Sequence, residues 1–176
     1  MIIYFLRHAS AGQPKSNPAK DDKRALDDDG ITQCRLIGSA LAALDVSVDL
    51  VLSSPLKRST QTASLVSTEF GYEGKVQVEK SLAPGASFAD FRQMVQKHSQ
   101  HEAILVVGHN PSLSEFLSLT LTGRHESSVV DLKKCAVARV DARQRSATLD
   151  WLLTPKIART LYEVSAANHH PKHPRK

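Results

Sequence analysis

The sequence is short of cysteine, of aromatic residues and of long apolar runs, and each shortage closes off a class of protein. Cys34 and Cys135 are the two cysteines, and their separation matches no metal or redox spacing. The plain reading is two reduced structural thiols. No stretch reaches the roughly 18 uncharged apolar residues that a membrane span needs. Met1 to Leu6 is apolar but short, and Arg7 and His8 interrupt it, whereas a secretory signal carries its positive charge before the apolar run. These absences together point to the cytoplasm, with no membrane partner. Aromatics make up 5% of the chain, too few to build a stacking surface, so the net charge of +5 does not argue for nucleic acid. Three of those charges, Lys172, Arg175 and Lys176, lie in a tail with His169, His170 and His173 and nothing apolar to bury. Residues 166–176 are therefore expected to be a disordered basic tail, a solvated one rather than a chelating one. A Walker-type glycine-rich loop is also missing, and the candidate anion site at the strand ends has no acidic cluster to hold Mg²⁺, so no metal or other cofactor is expected.

What is present is an alternation of apolar runs with helical patterns over residues 1–165, read as one domain. It predicts a three-layer α/β/α fold with a mainly parallel sheet. Ile2 to Leu6 has the β-branched and aromatic content of a strand buried on both faces. A polar stretch with Gly12, Pro14 and Pro18 reads as a loop to about Asp29. The apolar positions Ile31, Leu36, Ile37, Ala40, Leu41 and Leu44 then fit a 3.6 period, with Asp27-Asp28-Asp29 favouring the positive end of that helix. Asp49 to Leu52 reads as a strand, and Ser54-Pro55 as an N-cap with proline at the first helical position, on a helix running to Phe70. A strand over Lys75 to Glu79, a helix over Phe88 to Lys97 and a strand over Ala103 to Val107 follow. Asn110-Pro111 is expected to cap a helix bearing Leu113, Phe116, Leu117 and Leu121. Val129 to Val140 and Ala147 to Leu153 are expected as an antiparallel pair at the sheet edge.

Three strand ends carry residues able to bind an anion: Arg7-His8, Ser53 to Arg58, and Gly108-His109. Taken singly, each is ordinary. A strand-ending arginine can be a surface charge, and a histidine after Val-Val-Gly can satisfy a backbone carbonyl. Parallel strands, however, would bring all three ends to the carboxyl rim of the sheet, where ligands gather in open α/β folds. Two arginines, two histidines and two helix N-termini would meet there as a dianion site. His98, His101 and His125 sit among polar neighbours and read as solvated.

Leu6-Arg7-His8-Ala9 resembles the Arg-His-Gly signature of the histidine phosphatase superfamily, whose fold is phosphoglycerate mutase-like. The run from Ser53 to Ala63 resembles that family's second motif, and Val106-Val107-Gly108-His109-Asn110-Pro111 its third. The resemblance implies that His8 is a nucleophile that becomes phosphohistidine. It also implies that Arg7 and Arg58 clamp the transferred phosphate, and that His109 donates hydrogen bonds to it. Ala9 stands where the family usually has glycine. Pro14 replaces an asparagine of the mutases. Ser81-Leu82-Ala83-Pro84-Gly85 lacks the glutamate that protonates an alkoxide leaving group in mutase-like members. A short chain, the absent acid and the Val107-Gly108-His109-Asn110-Pro111 motif resemble the SixA-type phosphohistidine phosphatases, and with no insertion to form a lid the open site would admit a phosphohistidine-bearing protein as substrate partner. A small phosphomonoester, with Asp90 or Glu79 as acid, is the alternative within the enzyme class. A non-catalytic phosphate- or nucleic-acid-binding protein is the alternative outside it.

Overall fold

The computed structural model describes residues 1–124, 129–144 and 146–168. Six strands form one sheet in the order β3-β2-β4-β1-β5-β6. β1 (Ile2–Arg7), β4 (Ala103–Gly108), β2 (Leu50–Ser53) and β3 (Gln77–Val78) run parallel, and β5 (Val137–Asp141) and β6 (Thr148–Leu153) add an antiparallel hairpin beside β1. Buried side chains alternate along β1. Tyr4 and Leu6 face α2 (Asp28–Ala43), α3 (Lys57–Glu69) and α6 (Pro155–Asn168), joined by Cys34, Ile37, Ala63, Val66 and Ala158. Ile3 and Phe5 face α4 (Phe88–Lys97) and α5 (Ser112–Thr122), with Phe91, Met94, Leu113 and Phe116. Two apolar faces on each central strand explain why β1 and β4 read as unbroken apolar runs. The three-layer α/β/α arrangement matches the expectation.

Several boundaries differ, each for a local reason. α2 starts at Asp28, because the Asp27 side chain accepts from Gly30 N at 2.7 Å and acts as the N-cap. Gly30 is required there: a Cβ would lie 2.0 Å from the Ser10 carbonyl oxygen. A short helix, α1 (Pro18–Asp22), occupies the stretch expected as loop, capped by Asn17 with proline at its start. The strand expected over 75–79 shrinks to Gln77–Val78 at the exposed edge. The strand expected from Val129 begins only at Val137. Before it, Leu132 N is held by Ser114 Oγ at 3.0 Å, and Cys135 turns the chain with φ of 55°. α6 was not expected, and it carries the chain to Asn168, so the expected tail does not begin at 166. Its remainder, 169–176, lies outside the described residues. The two cysteines, far apart in sequence, are free, buried and adjacent, and Cys34 beside it raises the Cys135 thiol well above its ordinary range.

Candidate active site

The register of the central strands brings the three expected segments together. Arg7 pairs with Gly108 across β1 and β4, and Ser53 pairs with Val107 across β2 and β4. Beyond these pairs, backbone bonds continue the stitching: His8 N donates to Gly108 O at 3.0 Å and Ser54 N to Val107 O at 2.9 Å. β1 feeds α2 on one face of the sheet, while its neighbour β4 feeds α5 on the other. Adjacent chains thus part at the strand ends, and the crevice between them is where such sheets bind ligands. Gly108 packs closely here: a Cβ would lie 3.3 Å from Leu113 Cδ1 and 3.4 Å from the Leu82 carbonyl oxygen, so Leu113 would have to shift slightly to admit one.

His8 and His109 stand with ring centroids 4.9 Å apart. Both are buried, at 9% and 4% exposure, so the rings share a largely desolvated space. His8 Nδ1 lies 2.8 Å from Ala9 O. A carbonyl only accepts, so Nδ1 is assigned the proton and Nε2 keeps its lone pair. Ala9 itself is fixed by its N–H, which donates to Thr62 Oγ1 at 3.0 Å. His109 Nε2 lies 2.8 Å from Ser54 Oγ and 3.2 Å from Ser59 Oγ. A hydroxyl can donate or accept; with these two donating to Nε2, the proton sits on Nδ1, a buried atom with no partner among the described residues. One ring thus offers a lone pair and the other an unused donor.

The expected N-cap role of Ser54 is corrected here. α3 begins at Lys57 behind Leu56, with no side-chain cap. The Ser54 hydroxyl is committed to His109 instead. Asn110 also does something other than cap: it donates from Nδ2 to Leu132 O at 3.0 Å and accepts from Ser114 Oγ at 2.9 Å.

Arg7 Nη1 donates to Leu132 O at 2.8 Å, and Arg58 Nη1 donates to Asp21 O at 3.0 Å. In both arginines Nε is buried without a partner among the described residues. Each guanidinium is therefore anchored by one nitrogen, with a further donor unspent. A fork so held suits two oxygens of a phosphate. A third arginine, which the sequence reading did not find, joins them. Arg24 donates to Asp21 Oδ1 at 2.7 Å from Nε and to Ala11 O at 2.8 Å from Nη1. Asp21 also meets Arg58, with Oδ2 3.3 Å from Nη1. Hydrogen bonds from Arg24 and from the Lys15 backbone hold the Asp21 carboxyl far below the usual carboxylate range. The signal was available: Asn17-Pro18 is a helix start, and Asp21 and Arg24 are one turn apart.

Asp21 lies at the edge of the site but sets the pose of Arg58. Asp21→Ala is expected to lower kcat by about 10- to 100-fold with a smaller change in KM, the effect of a displaced clamp. Asp21→Asn, which keeps one acceptor, should recover part of the rate. Steady-state kinetics on p-nitrophenyl phosphate would measure both. Equal kcat in wild type and Asp21→Ala would remove Asp21 from the account.

Both expected alternative acids line one open cleft, with Lys80, Ser81 and Met94, and each already has a partner. Asp90 accepts from Ser87 Oγ at 2.6 Å in the capping box of α4, which keeps it ionised below the ordinary carboxylate range. Glu79 lies 3.2 Å from Lys97 Nζ and 3.5 Å from His98 Nε2. His98 is buried at 7% exposure against this pair, not solvated as expected. His101 is half-buried, and His125 is outside the described residues. The turn that follows β3, Lys80–Leu82, continues to Gly85 without a carboxylate.

Burial is the main force on both rings, pushing His8 down to about 4 and His109 down to about 3. Arg58, Arg7 and Arg24 push both further, and His8 also lowers His109. Unfolded imidazoles titrate near ~6.5, so below that pH the unfolded chain binds protons that the folded one refuses. Stability is then complete above about pH 6.5 and falls as pH drops towards the lowered folded values. Between pH 7 and 4.5 the loss should reach about 2 kcal/mol or more. Urea unfolding at a series of pH values reads it. The double change His8→Gln/His109→Gln should flatten the slope, and an unchanged slope would assign the pH dependence to other groups.

Residues 3–83 match the family described as the histidine phosphatase superfamily (branch 1), a span that includes Arg7, His8 and Arg58. A stretch of 143 residues is 32% identical to an uncharacterized protein of Picosynechococcus sp., covering 78% of this chain and 82% of that one. The chain belongs to the histidine phosphatase superfamily. Among solved structures it is similar to the protein histidine phosphatase SixA complexed with tungstate, with TM-score 0.79 and 22% identity over 89% of this chain and 98% of that one. It is also similar to the alpha-ribazole phosphatase of Shigella flexneri, with TM-score 0.73 and 21% identity over 88% of this chain and 97% of that one. Phosphoglycerate mutase of Bacillus anthracis aligns with TM-score 0.70 and 14% identity over 90% and 95% of the two chains. At these identities the likenesses speak for the shared fold.

Proposed function

We propose that this protein is a phosphatase in which His8 Nε2 takes the phosphoryl group, and that its substrate is phosphohistidine displayed on another protein. The observation that carries the reading is the pair of complementary histidines. One ring has a free lone pair and the other an unused donor, and two arginine forks with unspent donors stand beside them. Nε2 attacks phosphorus as the bond to the leaving group breaks, and the leaving atom takes a proton from solvent. Water then attacks the phosphohistidine, the P–N bond breaks, the water's proton passes to solvent, and His8 returns to its neutral form. Arg7 and Arg58 spread the charge of the transferred group, and His109 Nδ1–H donates to one of its oxygens. Guanidinium charge does here what Mg²⁺ does in other phosphoryl transferases, so the reaction needs no metal.

The choice of phosphohistidine rests on the leaving group. The turn from Lys80 to Gly85 has no carboxylate, Glu79 and Asp90 are held by partners at α4, and Asp21 is held by Arg24 and Arg58. A departing imidazole accepts a proton readily, whereas an alkoxide needs one supplied. Phosphate release from a phosphohistidine peptide, p-nitrophenyl phosphate and 3-phosphoglycerate, with and without EDTA, tests the proposal. The peptide should be the best substrate and EDTA should have no effect. A best rate on 3-phosphoglycerate, or loss of activity in EDTA restored by a divalent metal, would overturn it.

A further inference from the structure

The surface around the site carries more positive charge than phosphate binding uses. Six lysines, Lys15, Lys20, Lys23, Lys57, Lys133 and Lys134, are exposed on the three segments that frame it. Lys15, Lys20 and Lys23 lie on the connection from β1 to α2, whose Asp21 holds Arg58. Lys57 precedes Arg58 on α3, and Lys133 and Lys134 follow Leu132, whose carbonyl anchors Arg7.

The carboxylates on these segments are mostly consumed internally. Asp21 binds Arg24 and Arg58, Asp27 binds Gly30 N, Ser10 Oγ and Gly12 N, and Asp131 pairs with Lys133. Over residues 7–27, 54–58 and 131–135 there are nine Lys/Arg against four Asp/Glu, while the other described residues carry ten against thirteen. Among the described residues the net positive charge is therefore concentrated at the end that holds His8. No Phe, Tyr or Trp occurs in these three segments, so the stacking that single-stranded nucleic acid requires is missing. The lysines also lie outside the arginine forks, on three segments distant in the chain, where a partner larger than a metabolite can touch several at once.

We infer that this lysine collar docks an acidic face of the phosphorylated protein. The inference rests on the function proposed above and names its partner chemistry. Opposite charge around the phosphohistidine would speed encounter and fix orientation, with a strong dependence on salt.

The test uses two peptides of equal length, each with one histidine phosphorylated by phosphoramidate. One has Asp and Glu flanks and the other Ser and Gly flanks. At about 50 mM NaCl the acidic peptide should show kcat/KM about tenfold higher, and at about 300 mM most of that advantage should vanish. The triple variant Lys15→Gln/Lys20→Gln/Lys134→Gln should lose about threefold or more of the preference while hydrolysing the neutral peptide within about twofold of wild type. Equal rates on the two peptides, or a preference the variant retains, would overturn the collar and leave the phosphohistidine reading standing. Hydrolysis of neither peptide beside good turnover of an alkyl phosphate would overturn both.

Discussion

His8→Ala is expected to lower turnover by about 10⁴-fold or more, while the protein still folds. The loss is large because the side chain is both the acceptor of the phosphoryl group and the reason the reaction divides into two steps. Direct attack by water would have to reach phosphorus without the lone pair that the Ala9 carbonyl keeps available on Nε2. The fold should survive, because the strand carrying His8 is held by its register with β4 and β5 rather than by the ring. Removing a ring whose charged form is strongly disfavoured also relieves a cost at acid pH. Circular dichroism checks the fold, and quenching wild type during turnover should trap an acid-labile phosphoenzyme that the variant cannot form. A folded His8→Ala protein with full activity would end the covalent mechanism. Arg58→Ala should be milder, because Arg7 and Arg24 still hold positive charge beside the rings.

The second large effect is the preference among substrates. A positioned general acid typically contributes about 10²–10⁴-fold, or roughly 3–5 kcal/mol of barrier. Without one, an alkyl phosphate should react slower than a phosphohistidine peptide by about that range in kcat/KM. p-Nitrophenyl phosphate should fall between them, because its phenolate leaves without much protonation. The order of the three is more telling than any single rate, since it tracks how much proton each leaving group needs. If 3-phosphoglycerate proved best, an acid must reach the site. Glu79, one residue before the Lys80–Leu82 turn, would be the first to replace, by Glu79→Gln. Loss of activity on 3-phosphoglycerate in that variant would identify it.

Much of this was readable from the chain because the decisive features are local and repeated. A strand buried on both faces leaves an unbroken apolar run, and Arg7-His8 and Gly108-His109 each interrupt such a run with charge. Ser53 to Arg58 follows the third in the same way. Those patterns, with the helical periods between them, were enough for the α/β architecture and for Arg7, His8, Arg58 and His109. The missing acid in Ser81 to Gly85 was legible only through the family resemblance.

Other features have no local signature. Ser54 next to Pro55 looks like a helix cap, and only the approach of His109 from β4 turns its hydroxyl elsewhere. Asp21 and Arg24 were within reach through the Asn17-Pro18 helix start, but nothing nearby says that Asp21 folds back onto Arg58. Cys34 and Cys135 meet because α2 packs against the start of β5. His98 is buried because Glu79 closes over it from another element. The proton states of His8 and His109 are the clearest case. Desolvation is the largest influence on both rings, and it exists only once the chain has packed. The amino-acid order by itself determined which groups could do chemistry and at which strand ends they stand. The tertiary structure alone decided which donors stay unspent and which rings stay neutral, because burial and hydrogen-bond partners belong to the packed molecule and not to any stretch of sequence.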